Sequence, residues 1–586
     1  MKRFTADFET ATWVDDETWV WAWALCDIDN PEQVESGNSI ESFFERIEKE
    51  KNPYIYFHNL KFDGEFLLFH LMDKMGFEYV EKNEKHDNTF TTLISDMGLF
   101  YSIEVFYKVR KKKIKKITFI DSLKIINQTV ESMPKTFNIK ENKLEIDYNL
   151  PREIGHILTH EEDEYVKMDV VIVAKALKYL FDMGLVKMTA GSNALSEYKN
   201  IIRINKFRNL FKPLNYDIDK DLRKSYRGGF TYCNPLYKGK ETKAGVVLDV
   251  NSLYPSVMYN EILPFGEGFF YEGKYVEDKV YPLYIQRITC SFKIKEGKIP
   301  TIQIKNSRFV ENEYLEESGI EPVALTLTSI DLKLFFEQYD VWDLEYHSGW
   351  KFKGMRGLFC EYIDKWIAVK NEATISGNKG IRQVAKIMLN SLYGKFATSL
   401  DVQSKIPYLE DKIVKYKLGE KSTKEGLYLP MGCFITAYAR DKTIRTSQAI
   451  KDYSIEKYGI DMYCYSDTDS VHTLLPVEEL KKFCDIDDVR LGAWKIEEEF
   501  RRAKFIRQKT YLEDIKNPDT GEYEIKITCA GMPQKCYDQV TWENFREGLK
   551  VDGKLMFHHV KGGVILKPTE FTIKEDKNLI KAIKNF

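Results

Sequence analysis

Tyr463-Cys464-Tyr465-Ser466-Asp467-Thr468-Asp469-Ser470-Val471-His472 carries apolar and aromatic residues into two aspartates one residue apart, and Val471 leads out again. The pattern predicts a tight β-hairpin with the acids at its tip. There Asp467 and Asp469 converge on one small volume, where two carboxylates repel unless a cation lies between them. A hard divalent ion such as Mg²⁺, which prefers oxygen ligands, is the natural partner. A solvated turn is the alternative, since Asp and Ser favour turns by themselves. Residues far away in the chain decide between the two.

Gly245 to Val250 (Gly-Val-Val-Leu-Asp-Val) is a buried-strand pattern with Asp249 near its end, followed by Asn251-Ser252-Leu253-Tyr254-Pro255. A strand-end aspartate beside the hairpin-tip pair would complete a two-metal site. Tyr254 would lie just beyond it, where a ring can sit under a sugar and exclude a 2′-hydroxyl. Gly380 to Lys395 reads as a helix on which Arg382, Lys386, Asn390 and Tyr393 form one stripe at spacings of four, four and three. Val384, Ile387, Met388 and Leu392 lie largely elsewhere on it and can face a core. Two cations, an amide and a ring aimed at a metal site suit a nucleoside triphosphate; a solvated polar face is the plainer alternative.

The beginning of the chain repeats the theme. Arg3 to Phe8 is a short strand running into Asp7-Phe8-Glu9-Thr10, and strand alternation puts Asp7 and Glu9 on one face. A second strand, Trp19 to Leu25, follows at hairpin distance. The apolar run Tyr54 to Phe57 leads into His58-Asn59-Leu60-Lys61-Phe62-Asp63-Gly64 and a helical segment from Glu65 to Met75. A strand at Ile117 to Ile120 ends at Asp121-Ser122-Leu123, and Glu161 to Leu180 is helical, with Tyr165 and Asp169 on one face. Asp7, Glu9, Asp63 and Asp169 thus come from strand and helix ends of one α/β unit. Clustered carboxylates plus a tyrosine are what two-metal phosphodiester hydrolysis needs: one ion lowers the pKa of a water, the other stabilises the leaving oxygen, and Tyr165 orients the water. Taken singly, each acid could be a surface or capping residue.

Lys108 to Lys116 holds seven basic residues in nine and is either a solvated hairpin tip or a phosphate contact. Met188 to Ser192 is expected to link two units. In Tyr226-Arg227-Gly228-Gly229 the glycines allow close backbone approach, and Arg227 is a phosphate-sized donor. The gap of about 125 residues between Pro255 and Gly380, which includes Thr301 to Arg308, is too long for a loop and reads as an inserted module. Asp401 to Leu429 is a second insertion, rich in Lys and Glu, and a helix carrying Thr436 and Arg440 follows. Arg501 to Lys509 has five basic residues in nine and leads into Lys509-Thr510-Tyr511, a duplex-backbone contact in this reading. Glu543 to Phe586 is a lysine-rich tail unit.

At 586 residues the chain has room for roughly four units. Its 87 basic and 90 acidic residues give a net charge of −3, so any positive groove for nucleic acid must be local. The nine cysteines show no Cys-x-x-Cys pair and fit free thiols in a reducing cytosol. No charged leader and no bilayer-length apolar run is present, so the protein is expected to be neither secreted nor membrane-spanning.

In this order the motifs resemble family B DNA polymerases, specifically the protein-primed phage branch of phi-29 type, over nearly the whole chain. Asp7-Phe8-Glu9, Asn59-x-x-x-Asp63 and Tyr165-x-x-x-Asp169 are similar to three exonuclease motifs, with Lys143 as an auxiliary lysine just before Glu145. Asp249 to Pro255, Lys386 to Gly394 and Tyr465 to Ser470 are similar to the polymerase motifs. Lys509-x-Tyr511 resembles the motif that grips the primer, and Tyr226 to Gly229 the segment joining two activities. The resemblance implies a mixed α/β fold: an RNase H-like 3′→5′ exonuclease domain (1–189), then a right-hand polymerase. Its palm would start at 190–255 and resume at 430–540, its fingers would span 361–396 and its thumb 541–586. The insertions at 256–360 and 397–429 would serve protein priming and strand displacement.

The resemblance also implies residue roles. Tyr254, Lys370, Arg382, Lys386, Asn390 and Tyr393 would contact the nucleotide, and the Val250 carbonyl would join the metal shell. Thr10, Asn59, Phe62, Ser122 and Leu123 would hold single-stranded DNA. Tyr226, Arg227, Gly228, Gly229, Arg308, Thr436, Arg440, Lys509 and Tyr511 would contact DNA. Two Mg²⁺ per site are implied, with Mn²⁺ as a substitute. The implied partners are template and primer DNA, dNTPs, a terminal protein primer and a single-stranded-DNA-binding protein, for a monomer in the cytoplasm of an infected bacterial host, with no membrane. Arg382 stands where a lysine is common, and Glu145 where an aspartate is expected as a supporting metal contact. Two rivals are a nuclease whose second half only binds DNA and a scaffold with decayed sites. Asp249 and the Lys386/Asn390/Tyr393 stripe argue against the first, and the presence of every carboxylate against the second.

Overall fold

All eight residues of the strand Val20–Asp27 are buried, so its sheet must be covered on both faces. A computed structural model, which describes residues 2–110, 113–148, 150–303, 314–517 and 520–574, shows how. Ala22, Ala24 and Cys26 pack with Val166, Val170 and Val173 of the helix His160–Asp182. Trp23 and Leu25 point the other way, to Phe43, Phe44, Phe57 and Phe66. The sheet has eight strands. Arg3–Thr10 lies inside it, antiparallel to Val20–Asp27 and parallel to Tyr54–Phe57, which runs parallel to Lys113–Asp121. Asp7, Asp63 and Asp121 therefore come from neighbouring elements.

The helix expected from Glu65 starts earlier, at Leu60, and passes at His70–Lys74 into a π-helical turn. Its start is set by Asn59, which turns the chain at φ +79 and donates its N–H to Asp121 Oδ1 at 3.1 Å. The link expected at Met188 to Ser192 is shorter, because Thr189 caps a helix Ala190–Ile202 by accepting from the Ser192 N–H.

A second, seven-stranded sheet has the order Tyr523–Cys529, Thr510–Lys516, Trp494–Arg507, Gly245–Val250, Ser470–Thr473, Tyr463–Asp467, Thr231–Cys233. Gly245–Val250 thus sits between Ser470–Thr473 and Trp494–Arg507, and Asp249 pairs with Ser470 on one side and Lys495 on the other. The 30-residue helix Leu429–Tyr458 packs against this sheet. The long gap before Gly380 contains a four-stranded antiparallel sheet and the helix Ser329–Gln338.

Two late segments return to the first unit. The hairpin Lys550–Val560 and Gly563–Thr572 docks there through Thr18, whose N–H donates to the Lys561 carbonyl at 2.9 Å. The Tyr416 hydroxyl, from the hairpin Lys405–Glu410 and Ile413–Leu418, donates to the buried Glu65 Oε2 at 2.7 Å. Among the described residues no helix is long and apolar enough to cross a membrane.

Candidate active sites

The hairpin of the second sheet turns on Thr468, at φ +61. Three bonds hold that turn: the Thr468 N–H donates to the Phe230 carbonyl at 2.6 Å, the Thr443 hydroxyl to the Thr468 carbonyl at 2.7 Å, and the Val250 N–H to the Asp469 carbonyl at 2.8 Å. Gly229 abuts the same turn, and a Cβ there would lie 2.6 Å from Thr468 Oγ1. This is a close approach that only glycine allows. At Gly228 a Cβ would meet nothing within 4 Å.

The acids at the tip are electrostatically coupled. Burial, with Glu497 and Asp469 nearby, raises the Asp249 carboxyl to about 6, against the pull of Lys495 at 3.2 Å. Burial also raises Asp469, with Asp467 and Glu497 adding to the rise. Asp467 is turned to Lys509, whose Nζ reaches both its oxygens at 2.8 Å. Burial lowers Lys370, and Arg382, Lys386 and Lys495 reinforce the effect, so four cations crowd one side of the tip. Arg382, Lys386 and Asn390 are exposed on the helix Lys379–Ser391, whose other face buries Val384, Ala385, Met388 and Leu389. Tyr393 begins a short separate helix and stacks on Tyr254 with ring centroids 4.0 Å apart. Tyr226 stands beside this pair.

The second cluster lies at the end of Arg3–Thr10. The Phe8 N–H donates to Asp63 Oδ1 at 3.2 Å, and Lys143 pairs with Asp169 at 2.9 Å. Burial and the Asp169 charge push the Asp7 carboxyl up to about 7. Burial and the Asp7 charge hold both Glu9 and Asp63 well above the ordinary range. The Tyr165 and Tyr148 hydroxyls hydrogen-bond to each other, and Tyr165 also bonds Glu9. Tyr148 was not anticipated: it lies in a loop without periodicity. Beside the cluster, Ser122 is buried and donates to the Phe57 carbonyl, with His58 Nδ1 also at 3.0 Å. The Leu123 N–H is held by Asp121 Oδ1 at 3.0 Å. Phe62 packs between Phe66 and Phe557, and Thr10 is buried.

Among the described residues no three acids stand in a ready ligating arrangement; Lys495, Lys509 and Lys143 occupy their oxygens. The donor sets nonetheless fit hard divalent cations. They consist of carboxylate oxygens, and their members raise one another's affinity for protons, which a bound cation would reverse.

Several residues expected to contact DNA or metal have partners inside the fold. Arg227 is buried and donates to the Ser225 and Thr326 carbonyls. Arg440, 2% exposed, grips both oxygens of Asp331 at 2.8 Å and donates to the Arg227 and Gly228 carbonyls at 2.7 Å. Thr436 is buried and donates to carbonyls of its own helix. Arg227 and Arg440 thereby brace the Gly228-Gly229 loop, and Thr436 the Leu429–Tyr458 helix, while Arg227 Nε has no hydrogen-bond partner among the described residues. Glu145 is exposed, and no described hydrogen bond or ion pair ties it to the four acids. Lys116, in the basic run, pairs with Glu104. Arg308 lies outside the described residues.

Residues 152–484 match the family model "DNA polymerase type B, organellar and viral". The chain is 44% identical over 590 residues to a DNA polymerase of Bacillus phage Nf (98% of this chain, all of the relative). It is 43% identical over 588 residues to that of Bacillus phage phi29 (98% and 99%). The chain belongs to the phi29-type family B DNA polymerases. A solved structure of phi29 DNA polymerase with primer-template DNA and incoming nucleotide substrates matches the polymerase with a TM-score of 0.90 at 42% identity, covering 98% of this chain and all of that one. The phi29 enzyme with primer-template DNA alone matches equally well, at a TM-score of 0.90.

Proposed function

We propose that this polymerase copies phage DNA from a terminal-protein primer, with strand displacement, at Asp249, Asp467 and Asp469, and trims mispaired ends 3′→5′ at Asp7, Glu9, Asp63 and Asp169. The observation that carries the reading is the approach of Asp249, paired with Ser470, to Asp469 of the adjoining turn, beside four cations and a stacked tyrosine pair. The phi29 relative solved with DNA and nucleotide supports the substrate class.

Asp249, Asp469 and the Val250 carbonyl would hold Mg²⁺ at the first site, with Asp467 in support, and the four acids of the first unit would hold it at the second. When bound, such ions stabilise charge on phosphoryl oxygens and lower the pKa of the attacking hydroxyl or water. Lys370, Arg382 and Lys386 meet the triphosphate and the negative charge that grows on the leaving pyrophosphate. Tyr254 and Tyr393 form the floor under sugar and base pair. The primer 3′-oxygen bonds to the α-phosphorus as the bond to the bridging oxygen breaks and pyrophosphate leaves. At the second site Tyr165, backed by Tyr148, orients the water, and Lys143 steadies Asp169.

Residues 1–189 would form the exonuclease domain. Palm, fingers, thumb and the two insertions would take the spans given above, in a monomer working in the cytoplasm of a bacterial host. Asp249→Ala should abolish primer extension and spare digestion of single-stranded DNA, and Asp7→Ala with Glu9→Ala should do the reverse. Loss of both activities in either variant would refute two separate sites. Incubation with a candidate terminal protein and labelled dATP tests the priming: a labelled protein supports it.

A further inference from the structure

Beneath the acid hairpin, a histidine and a glutamate meet inside an aromatic box. His472, on Ser470–Thr473, is 1% exposed, and Glu513, on Thr510–Lys516, is 0% exposed. His472 Nδ1–H donates to Glu513 Oε1 at 2.7 Å. Tyr465, Phe505 and Tyr511 surround the imidazole, with ring centroids at 5.2, 5.5 and 5.2 Å, all edge to face. The two strands are not neighbours, since Gly245–Val250 and Trp494–Arg507 lie between them. The bond therefore spans the sheet, from the hairpin that carries Asp469 to the strand that follows Lys509.

Replacing both partners of a buried hydrogen bond by apolar groups of the same shape can be nearly neutral or stabilising, so net stability is a weak reason for such a pair and registry a stronger one. What is registered here is visible. The Tyr465 hydroxyl accepts the Lys509 N–H at 2.7 Å, Lys509 turns at φ +54, and its Nζ spans both oxygens of Asp467. The Lys509 turn is tied to the hairpin three times: by the ion pair to Asp467, whose lysine is 52% exposed, by the Tyr465 hydroxyl, and, four residues further along the strand, by the buried His472–Glu513 pair, which packs against the Tyr465 ring and so holds that hydroxyl in place. The exposed tie is screened and weak. Its lysine must also let go of Asp467 to meet a phosphate, whereas the buried tie persists.

We propose that His472 and Glu513 are positioning residues for nucleotidyl transfer. They hold the primer-facing Lys509 turn in register with the Asp467/Asp469 tip, so that the primer end reaches the acids in one geometry. The assignment rests on the polymerase-site reading above. Without the pair, the acids and the triphosphate cations stay in place while the primer end is held loosely and is lost to trimming.

The test uses the full chain as Glu513→Ala, Glu513→Gln and the double variant His472→Leu/Glu513→Leu. Primer extension and single-stranded DNA digestion are measured on the same preparation, so their ratio cancels the folded fraction. The ratio should fall about tenfold to a hundredfold in Glu513→Ala, the range for lost support around metal-holding residues, and return to within about twofold of the parent in Glu513→Gln. The double leucine variant should keep the parent's melting temperature and still show the low ratio, with a raised KM for primer-template. A ratio unchanged in Glu513→Ala or in the folded double variant overturns the proposal, and so does a low ratio in the double variant that comes with a lowered melting temperature, because a merely structural pair would lower extension only by loosening the second sheet. Extension that survives Asp249→Ala would sink the site reading instead, and this proposal with it.

Discussion

Asp7→Asn should stabilise the metal-free chain at neutral pH and leave it unchanged in acid. The folded carboxyl titrates at about 7 against an ordinary 3.8, because it is buried beside Asp169. Roughly three pH units at about 1.4 kcal/mol each give about 4 kcal/mol, shared in part with the coupled acids around it. Below pH 4 the folded and unfolded chains both hold the proton, and no cost arises. Between about 4 and 7 only the folded chain keeps it, so stability falls as pH rises. Above about 7 the full cost stands. A neutral amide of the same shape carries none of it. In EDTA at about pH 8 the variant should therefore melt several degrees above the parent, at about 2–4 °C per kcal/mol for a unit of this size, and at about pH 3 the two should coincide. Adding Mg²⁺ should raise the parent's melting temperature strongly at the higher pH and little at the lower, since binding requires deprotonated acids, and should raise the variant's less. A variant no more stable than the parent at pH 8 in EDTA would show that the four carboxylates of the first unit do not strain one another.

Two further substitutions read the packing directly. Gly229→Ala places a methyl 2.6 Å from Thr468 Oγ1 and must push the acid tip aside. A shift of about 1 Å can cost about a hundredfold in rate, and primer extension by the folded variant that matches the parent's would refute this packing. Tyr416→Phe removes the hydroxyl that satisfies the buried Glu65, which should cost about 1–3 kcal/mol. It should also speed hydrogen exchange in the Lys405–Leu418 hairpin, and exchange that stays at the parent's rate would argue against that docking.

The acids were legible because each announces itself locally. Strand alternation puts Asp7 and Glu9 on one face, and a turn between apolar strands puts Asp467 and Asp469 at a tip; both need only the residues nearby. The groups that set the charge balance of those acids come from elsewhere. Lys495 and Glu497 reach Asp249 only because Trp494–Arg507 pairs with Gly245–Val250, some 250 residues earlier in the chain, and nothing in either stretch names the other. The same gap hides the internal partners of two arginines. Arg227 beside two glycines reads as a phosphate donor, and the resemblance adds Arg440 as a DNA contact, while the surroundings of both are unknown. Asp331, which claims the Arg440 guanidinium, lies 109 residues away in the insertion. A cation's role in this fold is therefore set by which carboxylate the topology brings to it. Lys370 is pressed by Arg382, Lys386 and Lys495 more than it is relieved by Asp249, and that crowding of cations beside the acids is what supports the proposal that a triphosphate meets them there.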